Sequence, residues 1–329
     1  MNHIQKHINL SPVSAAGAVL VRPPHSNGRP RQLENGLSLT TGRGLSIAQH
    51  GEIMQGQLED SNFERRRFLL SLPCNLLYSK VTFVPSESGP RTVDPPHKEK
   101  VSTVIELTLR RFDLAGLGGS ITVESNIEEG KGYGSSTADC IAGAMAAADS
   151  IGELLTEEEL AEVVVEAEIA SDNFMFKRAV LFAHREGVVL EDLGPRLPHI
   201  EVLGIDTDSD GVVYTLKFPP AEYTWQQIQC FQTLVAALRR AIRVADVRLL
   251  GRVATASAVI NQQFLPKPIF SEIRCLAEYA GAVGIGVAHS GTVLSLLFDP
   301  SDPLLESRIS QTQKELASLG IEKVLRFRT

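Results

Sequence analysis

Hydrophobic and polar residues follow two different periods along this chain, one typical of strands and one typical of helices. Alternating or short apolar stretches predict strands at 66–72, 78–84, 119–126, 200–206 and 212–218. Longer stretches predict helices at 136–150, from Thr156 to about Ala170, and at 224–244, 248–263 and 268–281. The segment 284–298 is again strand-like. Strands and helices mix without a regular βαβ repeat, which favours an α+β fold with two lobes.

Two of the predicted helices carry additional signals. The helix at 136–150 is rich in alanine and nearly free of charge, so we expect it to be buried on all sides, with Cys140 in the core. The next helix begins at Thr156, which is predicted to form a capping box with Glu159. In that arrangement each side chain accepts a hydrogen bond from a free N–H group at the helix start.

Changes of composition divide the chain into three regions. Residues 1–42 are rich in Pro, Gly, Ser, Asn and Arg and predict a flexible N-terminal extension or a partner-binding tail. Residues 86–100 predict a second loop of this kind. The proline-containing segment at 193–199 separates a predicted N-terminal domain, 43–195, from a predicted C-terminal domain, 196–329.

Charge and cysteine content exclude several classes of protein. The 329 residues include 32 Lys and Arg against 39 Asp and Glu, a formal net charge of -7, so no basic excess is available to neutralise nucleic-acid phosphates. The four cysteines form no CxxC pair, which favours a reduced, cytoplasmic setting over a disulfide framework or a zinc site. No apolar run approaches the roughly 18 residues of a membrane span, and the apolar piece near the N-terminus makes a poor signal peptide. A small anionic ligand remains compatible with an acidic protein.

The stretch IEEGKGYGSSTADCIAG, residues 127–143, has the composition of a phosphate-binding loop that opens into a helix. It lacks the GxxxxGK[ST] spacing of the Walker loop and the GxGxxG spacing of the dinucleotide fingerprint. It nevertheless follows a predicted strand and opens a predicted helix, so backbone N–H groups and the positive helix end can hold an anion there. The alternative is a glycine turn, capped by a serine, before a buried helix.

Three segments together resemble motifs of the GHMP kinases. KGYGSSTAD resembles the family's phosphate loop, P-x-x-x-G-[LM]-[GA]-S-S-[AT]-A, except that Glu128 stands at the position of the proline. HGEIMQG, residues 50–56, resembles the N-terminal motif, and VAHSGTV, residues 287–293, resembles the C-terminal glycine motif. These variants, together with LPKP at 265–268, are similar to those of one subgroup, the L-threonine kinases of cobalamin synthesis.

The resemblance implies an enzyme that uses ATP and Mg²⁺ to phosphorylate the side-chain hydroxyl of L-threonine. It also implies that the nucleotide site and the acceptor site lie between two lobes. Two alternatives stay open. The acceptor can be another hydroxylated amino acid, such as serine, homoserine or a secondary-metabolite precursor, or the chain can be a nucleotide-binding regulator without catalysis. The sequence leaves a homodimer open and implies no nucleic-acid or membrane partner.

The resemblance also assigns the acidic residues of the site. Asp172 falls on the position of the catalytic aspartate, as the base or the orienter of the acceptor hydroxyl. Glu166 and Glu168 both suit the metal ligand. At about 100° per residue, Glu168 lies about 40° from Val164 on the apolar stripe of the helix, whereas Glu166 faces solvent. Glu168 is therefore the predicted ligand of Mg²⁺, together with the hydroxyl of Ser136.

The remaining site residues follow from the three motifs. Those expected at the ATP phosphates are Lys131, Gly132, Tyr133, Gly134, Ser135, Ser136 and Thr137. Those expected at the acceptor are Glu52, Gln55, Asn173, His289, Ser290 and Gly291. Because two glutamates, Glu128 and Glu129, precede the loop, we expect both to point to solvent and Lys131 to offset part of their repulsion of the phosphates.

Overall fold

The structure is a computed structural model that describes residues 31–32, 38–60, 62–211 and 221–329. Its strands are β1 (Arg31–Gln32), β2 (Ser38–Leu39), β3 (Gly42–Glu59), β4 (Arg65–Ser86), β5 (Arg91–Asp94), β6 (Gly118–Ser125), β7 (Ala179–Ala183), β8 (Val188–Gly194), β9 (Glu201–Asp206), β10 (Gly284–Val287), β11 (Val293–Phe298) and β12 (Val324–Arg328). Its helices are α1 (Glu99–Arg110), α2 (Ser135–Ser150), α3 (Glu157–Glu168), α4 (Trp225–Arg243), α5 (Val247–Asn261), α6 (Phe270–Ala280) and α7 (Leu305–Ser318).

One large mixed sheet runs through both halves of the molecule. Its strand order is β12-β9-β11-β10-β3-β4-β6-β5, with β7 paired to β4 and β8 paired to β7. The strands pair antiparallel except β5 with β6. The two halves of the sheet join where β10 pairs with β3, at Val287 opposite Glu52. The fold is therefore the two-lobed α+β arrangement that the hydrophobic pattern predicts.

Small residues let the alanine-rich helix α2 lie directly on the sheet. A Cβ atom added at Gly44 of β3 would lie 1.9 Å from the carbonyl oxygen of Ala142, and one at Gly42 would lie 1.9 Å from that of Ala146. Twelve of the residues in α2 are buried, including Cys140, as the absence of charge predicts. This close packing fixes the N-terminal end of α2 relative to β3.

A break in the β3–β4 ladder brings one motif of β3 to the junction of the lobes. The register shifts between Ile47 and Ala48 and again on both sides of Glu52, and Gly51 has a φ of 71°. Such bulges bend a strand and redirect its side chains. As a result His50 and Glu52 are both buried, the first in the core and the second at the junction.

Most predicted elements are present with shifted ends, and some were missed. The strands predicted at 66–72 and 78–84 are parts of the single strand β4, and β5 lies inside the segment predicted as a loop. Helices α1 and α7 and strands β3, β7, β8 and β12 were not predicted. Helix α3 ends at Glu168 because Ile169 adopts a left-handed conformation, with a φ of 72°. The strand predicted at 212–218 and most of the extension 1–42 lie outside the described residues.

No helix in the described ranges combines the length and the apolar character needed to cross a lipid bilayer.

Candidate active site

The glycine-rich loop between β6 and α2 turns its carbonyl oxygens toward the protein. Gly130, Gly132 and Gly134 have φ values of 72°, 98° and 71°, which residues with a side chain rarely adopt. The oxygen of Lys131 accepts hydrogen bonds from the N–H groups of Thr292 and Val293, at 2.8 and 3.1 Å. The oxygens of the next two residues accept from Gly51 and Gln49 of β3, at 3.3 and 3.1 Å. The loop is thus held by both other motifs.

The N–H groups of residues 132–137 remain available on the opposite side of the loop. None of the described residues accepts a hydrogen bond from them. Helix α2 begins at Ser135, after Gly134, and its N-terminal end has no side-chain cap. The alternative of a serine-capped turn is therefore wrong. Uncapped N–H groups together with the positive end of the helix dipole form a site for an anion.

Two lysines from the start of α1 lie at the same helix end, and the sequence analysis missed both. Lys98 Nζ lies 2.6 Å from Asp139 Oδ2 and 2.5 Å from Glu129 Oε1. Burial alone would lower the pKa of Lys98, but hydrogen bonds to these two carboxylates outweigh it and raise the pKa. Lys100 is half-exposed and its Nζ donates to Ser136 Oγ at 3.2 Å. Lys100 thus adds positive charge beside the uncapped helix end.

The two glutamates that precede the loop point outward, as expected. The side chains of Glu128 and Glu129 are 51% and 54% exposed. Glu128 pairs with Lys323, and Glu129 pairs with Lys98 and lies 3.3 Å from His97 Nε2. Nearby cations thus offset the charge of both.

Lys131, in contrast, does not offset the charge of these two glutamates as the sequence had led us to expect. Its Nζ lies 3.0 Å from Asp206 Oδ2 and donates to the carbonyl oxygens of Asp208 and Ser209 at 2.8 and 2.6 Å. The side chain is only 7% exposed. The offset of the two glutamates therefore comes from other lysines, because Lys131 extends from the loop toward the end of β9.

Glu168 lies at the C-terminal end of α3 and faces the N-terminal end of α2. It is buried, whereas Glu166 is exposed and pairs with Arg110 at 2.6 Å, as the helical geometry predicts. Glu168 Oε1 lies 3.6 Å from Lys100 Nζ, and its Oε2 is buried without a hydrogen-bond partner among the described residues. Burial raises the pKa of Glu168, while Ser136, Lys100 and Thr137 act in the opposite direction. An unpaired buried carboxylate oxygen beside a serine hydroxyl suits a hard cation such as Mg²⁺.

Asp172 follows α3 and lies under the loop. A Cβ atom added at Gly134 would lie 2.8 Å from Asp172 Oδ2, so only glycine allows this approach. The N–H group of Asp172 donates to Thr137 Oγ1 at 3.4 Å, and its Oδ1 is buried without a hydrogen-bond partner in the described part of the chain. Burial raises the pKa of Asp172 to about 7; His289 opposes this shift, and Glu52 adds to it.

His289 bridges two of the buried carboxylates. The backbone N–H group of His289 donates to Glu52 Oε2 at 2.6 Å. The Nδ1 atom of its ring lies 2.7 Å from Glu52 Oε1 and 3.7 Å from Asp172 Oδ1. Burial alone would lower the pKa of His289, but the two carboxylates outweigh it and raise the pKa to about 9. The protonated imidazole therefore balances part of the negative charge at this point.

Several predicted residues have structural contacts of their own. The amide of Asn173 accepts from the N–H group of Ser71 at 2.8 Å and donates to the oxygen of Val180 at 2.9 Å, so both of its ends are occupied. The ring of Tyr133 is buried edge-on against His50, with centroids 5.2 Å apart. The carbonyl of Gly291 accepts from Lys267 Nζ at 2.6 Å. The ring of Tyr133 and the carbonyl group of Gly291 are therefore both occupied by contacts within the protein.

A pocket of about 100 Å³ opens beside His289, between the two lobes. Three of the predicted acceptor residues line it: Gln55, His289 and Ser290. Its other lining residues come from β3 and β4, from the segment after β7, from the segments around α4 and α5, and from the end of β10: Gly56, Arg67, Phe68, Leu69, His184, Arg185, Ala221, Tyr223, Asn261, Phe264, Leu265, Val287 and Ala288. The pocket and the loop thus approach each other at His289 and Asp172.

Comparison with known proteins identifies the class to which this fold and site correspond. Residues 99–176 match the family described as the GHMP kinases N terminal domain. A homoserine kinase from Cytophaga hutchinsonii has a similar fold, with a TM-score of 0.64 and 18% identity over 88% of this chain and 94% of that one. A structure of MDDEF in complex with MVAPP, AMPPCP and magnesium has a TM-score of 0.62 and 13% identity over 88% and 97%. The resemblance seen in the three motifs is therefore confirmed: residues 99–176 match the GHMP kinases N terminal domain, and the chain shares the fold of these solved structures.

Within that class, the chain is similar to L-threonine kinases. It is 34% identical to the L-threonine kinase of Citrobacter freundii over 187 residues. This match spans 54% of the present chain and 62% of the length of the relative.

Proposed function

We propose that this protein is an ATP-dependent kinase that transfers the γ-phosphoryl group to the side-chain hydroxyl of L-threonine, producing O-phospho-L-threonine and ADP. One observation carries the proposal: two buried carboxylates, Glu168 and Asp172, converge on an uncapped helix end whose N–H groups have no acceptor among the described residues. The similarity to L-threonine kinases supports threonine as the acceptor. We also propose the domain division expected from the sequence, 43–195 and 196–329, with the reaction between the two domains.

In this proposal the phosphate loop holds the triphosphate of ATP. The N–H groups of residues 132–137 donate to phosphate oxygens, and Lys100 supplies a cation at the same helix end. Lys131 contributes its backbone only, because its side chain is bound to Asp206. Bound ATP therefore lies against a loop whose opposite side is already fixed to the protein.

Mg²⁺ would be held by the hydroxyl of Ser136 and the carboxylate of Glu168, because a hard cation prefers oxygen ligands. The Oε2 atom of Glu168 is buried without a partner among the described residues and is available for such a cation. When bound, the ion neutralises charge on the phosphate oxygens during transfer.

Asp172 accepts or orients the proton of the acceptor hydroxyl. The hydroxyl oxygen forms a bond to the γ-phosphorus as the bond from that phosphorus to the β–γ bridging oxygen breaks. ADP leaves, and the hydroxyl proton passes to the carboxylate of Asp172. The transition state of phosphoryl transfer is loose, so positioning the hydroxyl contributes as well as removing its proton. The unpaired Oδ1 of Asp172 is the atom available for this contact.

A panel of acceptors tests the proposal. ADP release is measured by a coupled assay with the full chain, ATP and Mg²⁺, and with L-threonine, L-serine or L-homoserine as the acceptor, and the phosphorylated product is identified by mass spectrometry. We expect the largest kcat/KM with L-threonine. A higher value with L-serine or L-homoserine would reassign the acceptor but retain the kinase.

A regulator without catalysis gives a different result in the same assay. It would bind ATP, measured by calorimetry, but release ADP with none of the three amino acids. That outcome would contradict the proposed function.

A further inference from the structure

The pocket beside His289 has an unbalanced set of charges. Two arginines, Arg67 and Arg185, line it together with the protonated His289, and the described lining includes no aspartate or glutamate. An enclosed surface with cations and no lining carboxylate selects an anionic group on its ligand. The anion it selects lies on the acceptor side of His289, away from the loop that holds ATP in the proposed function.

Of the two arginines that line this pocket, Arg67 is the one whose side chain donates a hydrogen bond to a described residue. It lies on β4 opposite Gln57 of β3, and one of its terminal nitrogens donates to the carbonyl oxygen of Ala221 at 2.7 Å. Its Nε is buried and has no partner among the described residues. The neighbouring arginines differ, because Arg65 pairs with Glu59 and Arg66 pairs with Glu64 and Glu186. Arg67 makes no ion pair with any described carboxylate, and a buried guanidinium nitrogen without an acceptor is unfavourable unless a ligand supplies one.

His184 adds a second unpaired polar atom to the same wall. Its Nδ1 is buried without a partner in the described ranges, and its ring centroid lies 5.9 Å from that of His289. Burial lowers the pKa of His184 to about 3, and the charges of His289, Arg185 and Arg67 act in the same direction. A neutral imidazole offers one N–H donor, so His184 can donate a hydrogen bond to an anion that is bound beside Arg67.

We infer that Arg67, assisted by His184, binds the carboxylate of the acceptor, so that the acceptor hydroxyl lies on the side of His289 and Asp172. This inference rests on the proposed function for the direction of transfer and names the residue that recognises the acceptor through its carboxylate, a group that L-threonine, L-serine and L-homoserine share. Such a charge-assisted contact is stronger than a neutral hydrogen bond, and the planar guanidinium suits a carboxylate. Arg67 is therefore assigned as a determinant of acceptor specificity.

Removal of the carboxylate from the substrate and of the guanidinium from the protein tests the pairing. We measure kcat/KM for L-threonine and for L-threoninamide, which has a neutral amide in place of the carboxylate, with the wild-type chain and with Arg67→Gln. The wild-type chain should prefer L-threonine by about 10- to 100-fold, the range expected for a hydrogen bond to a charged group. In Arg67→Gln that preference should nearly disappear, while the KM for ATP stays unchanged.

Arg66→Gln is the matched control, because Arg66 is the adjacent residue of β4, pairs with glutamates and does not line the pocket. It should keep the wild-type preference. Thermal unfolding of each variant reports folding. If Arg67→Gln does not fold, Arg67→Lys is used. Lysine keeps the charge but lacks the planar guanidinium that can bind the Ala221 carbonyl and a carboxylate together. The preference of this variant for L-threonine should therefore lie between that of the wild-type chain and that expected for Arg67→Gln. An unchanged preference in the variant that folds would overturn the inference.

Failure of the proposed function gives a distinct pattern. If the wild-type chain phosphorylates none of the three amino acids, the kinase proposal is wrong, and binding of L-threonine is measured by calorimetry instead. Weaker binding to Arg67→Gln than to the wild-type chain would still support the carboxylate site. Equal binding, or no binding to the wild-type chain, would contradict it.

Discussion

Three of the buried carboxylates near the loop, Glu52, Asp172 and Glu168, have different neighbours, and their chemistry differs accordingly. Glu52 accepts two hydrogen bonds from His289, and Asp172 has one oxygen without a partner among the described residues, 3.7 Å from the same imidazole. Glu168 has the half-exposed Lys100 as its only ion-pair partner among the described residues. Glu52 is therefore occupied by a protein cation, whereas Glu168 and Asp172 have capacity left for a ligand.

Exchange of Glu168 for glutamine should separate activity from stability. Glu168→Gln removes a metal ligand in the proposed mechanism, so kcat should fall on the order of 100-fold and the Mg²⁺ concentration for half-maximal activity should rise. Because burial raises the pKa of Glu168, the neutral amide should leave the melting temperature unchanged or higher. Glu166→Gln, on the exposed side of α3, is the control and should leave kcat unchanged. Equal kinetics for the two variants would remove Glu168 from the site.

The pKa of Asp172, raised to about 7, predicts the acidic limb of the pH profile. The carboxylate accepts a proton only when ionised, so kcat/KM for the acceptor should fall as the pH decreases below about 7 and should level off above it. In His289→Gln the compensating cation is lost, so the same limb should move to higher pH. A profile in which this variant and the wild-type chain coincide would show that Asp172 and His289 do not interact.

At the scale of elements, the loop and α2 act as one unit. The helix lies on glycines of β3, the loop carbonyls are bound by β3 and by the connection between β10 and β11, and the free N–H groups face the remaining side. Backbone conformation, more than side-chain chemistry, therefore determines the anion site.

The substitution Gly132→Ala should destabilise this unit more than the same substitution at a glycine that has a positive φ but no close neighbours. An added Cβ would lie 2.4 Å from Ala288 Cβ and 2.5 Å from the carbonyl oxygen of Ser290, and the φ of 98° is unfavourable for alanine. Gly152 has a φ of 78° with no atom near the added Cβ, so Gly152→Ala isolates the conformational cost of about 1–2 kcal/mol. We expect a lower unfolding free energy for Gly132→Ala than for Gly152→Ala, and weaker ATP binding, measured by denaturation and calorimetry. ATP binding equal to wild type would show that the loop tolerates displacement from Ala288.

At the scale of the whole molecule, sequence reasoning found the parts of the site but not all of their contacts. The two-lobed fold, the buried helix α2, the capping box of α3 and the inward face of Glu168 followed from local pattern. The missed helix α1 has an apolar stripe through Val101, Val104 and Ile105 that the same periodicity would have detected. Contacts such as Glu52 with His289, which are 237 residues apart, depend on the bulge in β3 and on the pairing of β10 with β3, and no local pattern encodes either.

The contact of Lys131 is another that no local pattern encodes. Its position in the loop predicted a place beside the phosphates, and only the arrangement of the lobes reveals Asp206 as its partner. Arg67 was missed for the converse reason, because three consecutive arginines at the start of β4 look alike in sequence and differ only in what lies beside them.

The two attachments of Lys131 also restrict how the molecule can move. Its carbonyl oxygen is bound to the N–H groups of Thr292 and Val293, and its ammonium group is bound at the end of β9, so one residue of the N-terminal lobe is fastened to the C-terminal lobe at both ends. A swing of one lobe away from the other about the phosphate loop would break all of these bonds at once. These bonds therefore hold the two lobes together beside the phosphate loop, and in the proposed function we expect the acceptor to enter from the other side of the pocket, which Ala221 and Phe264 border.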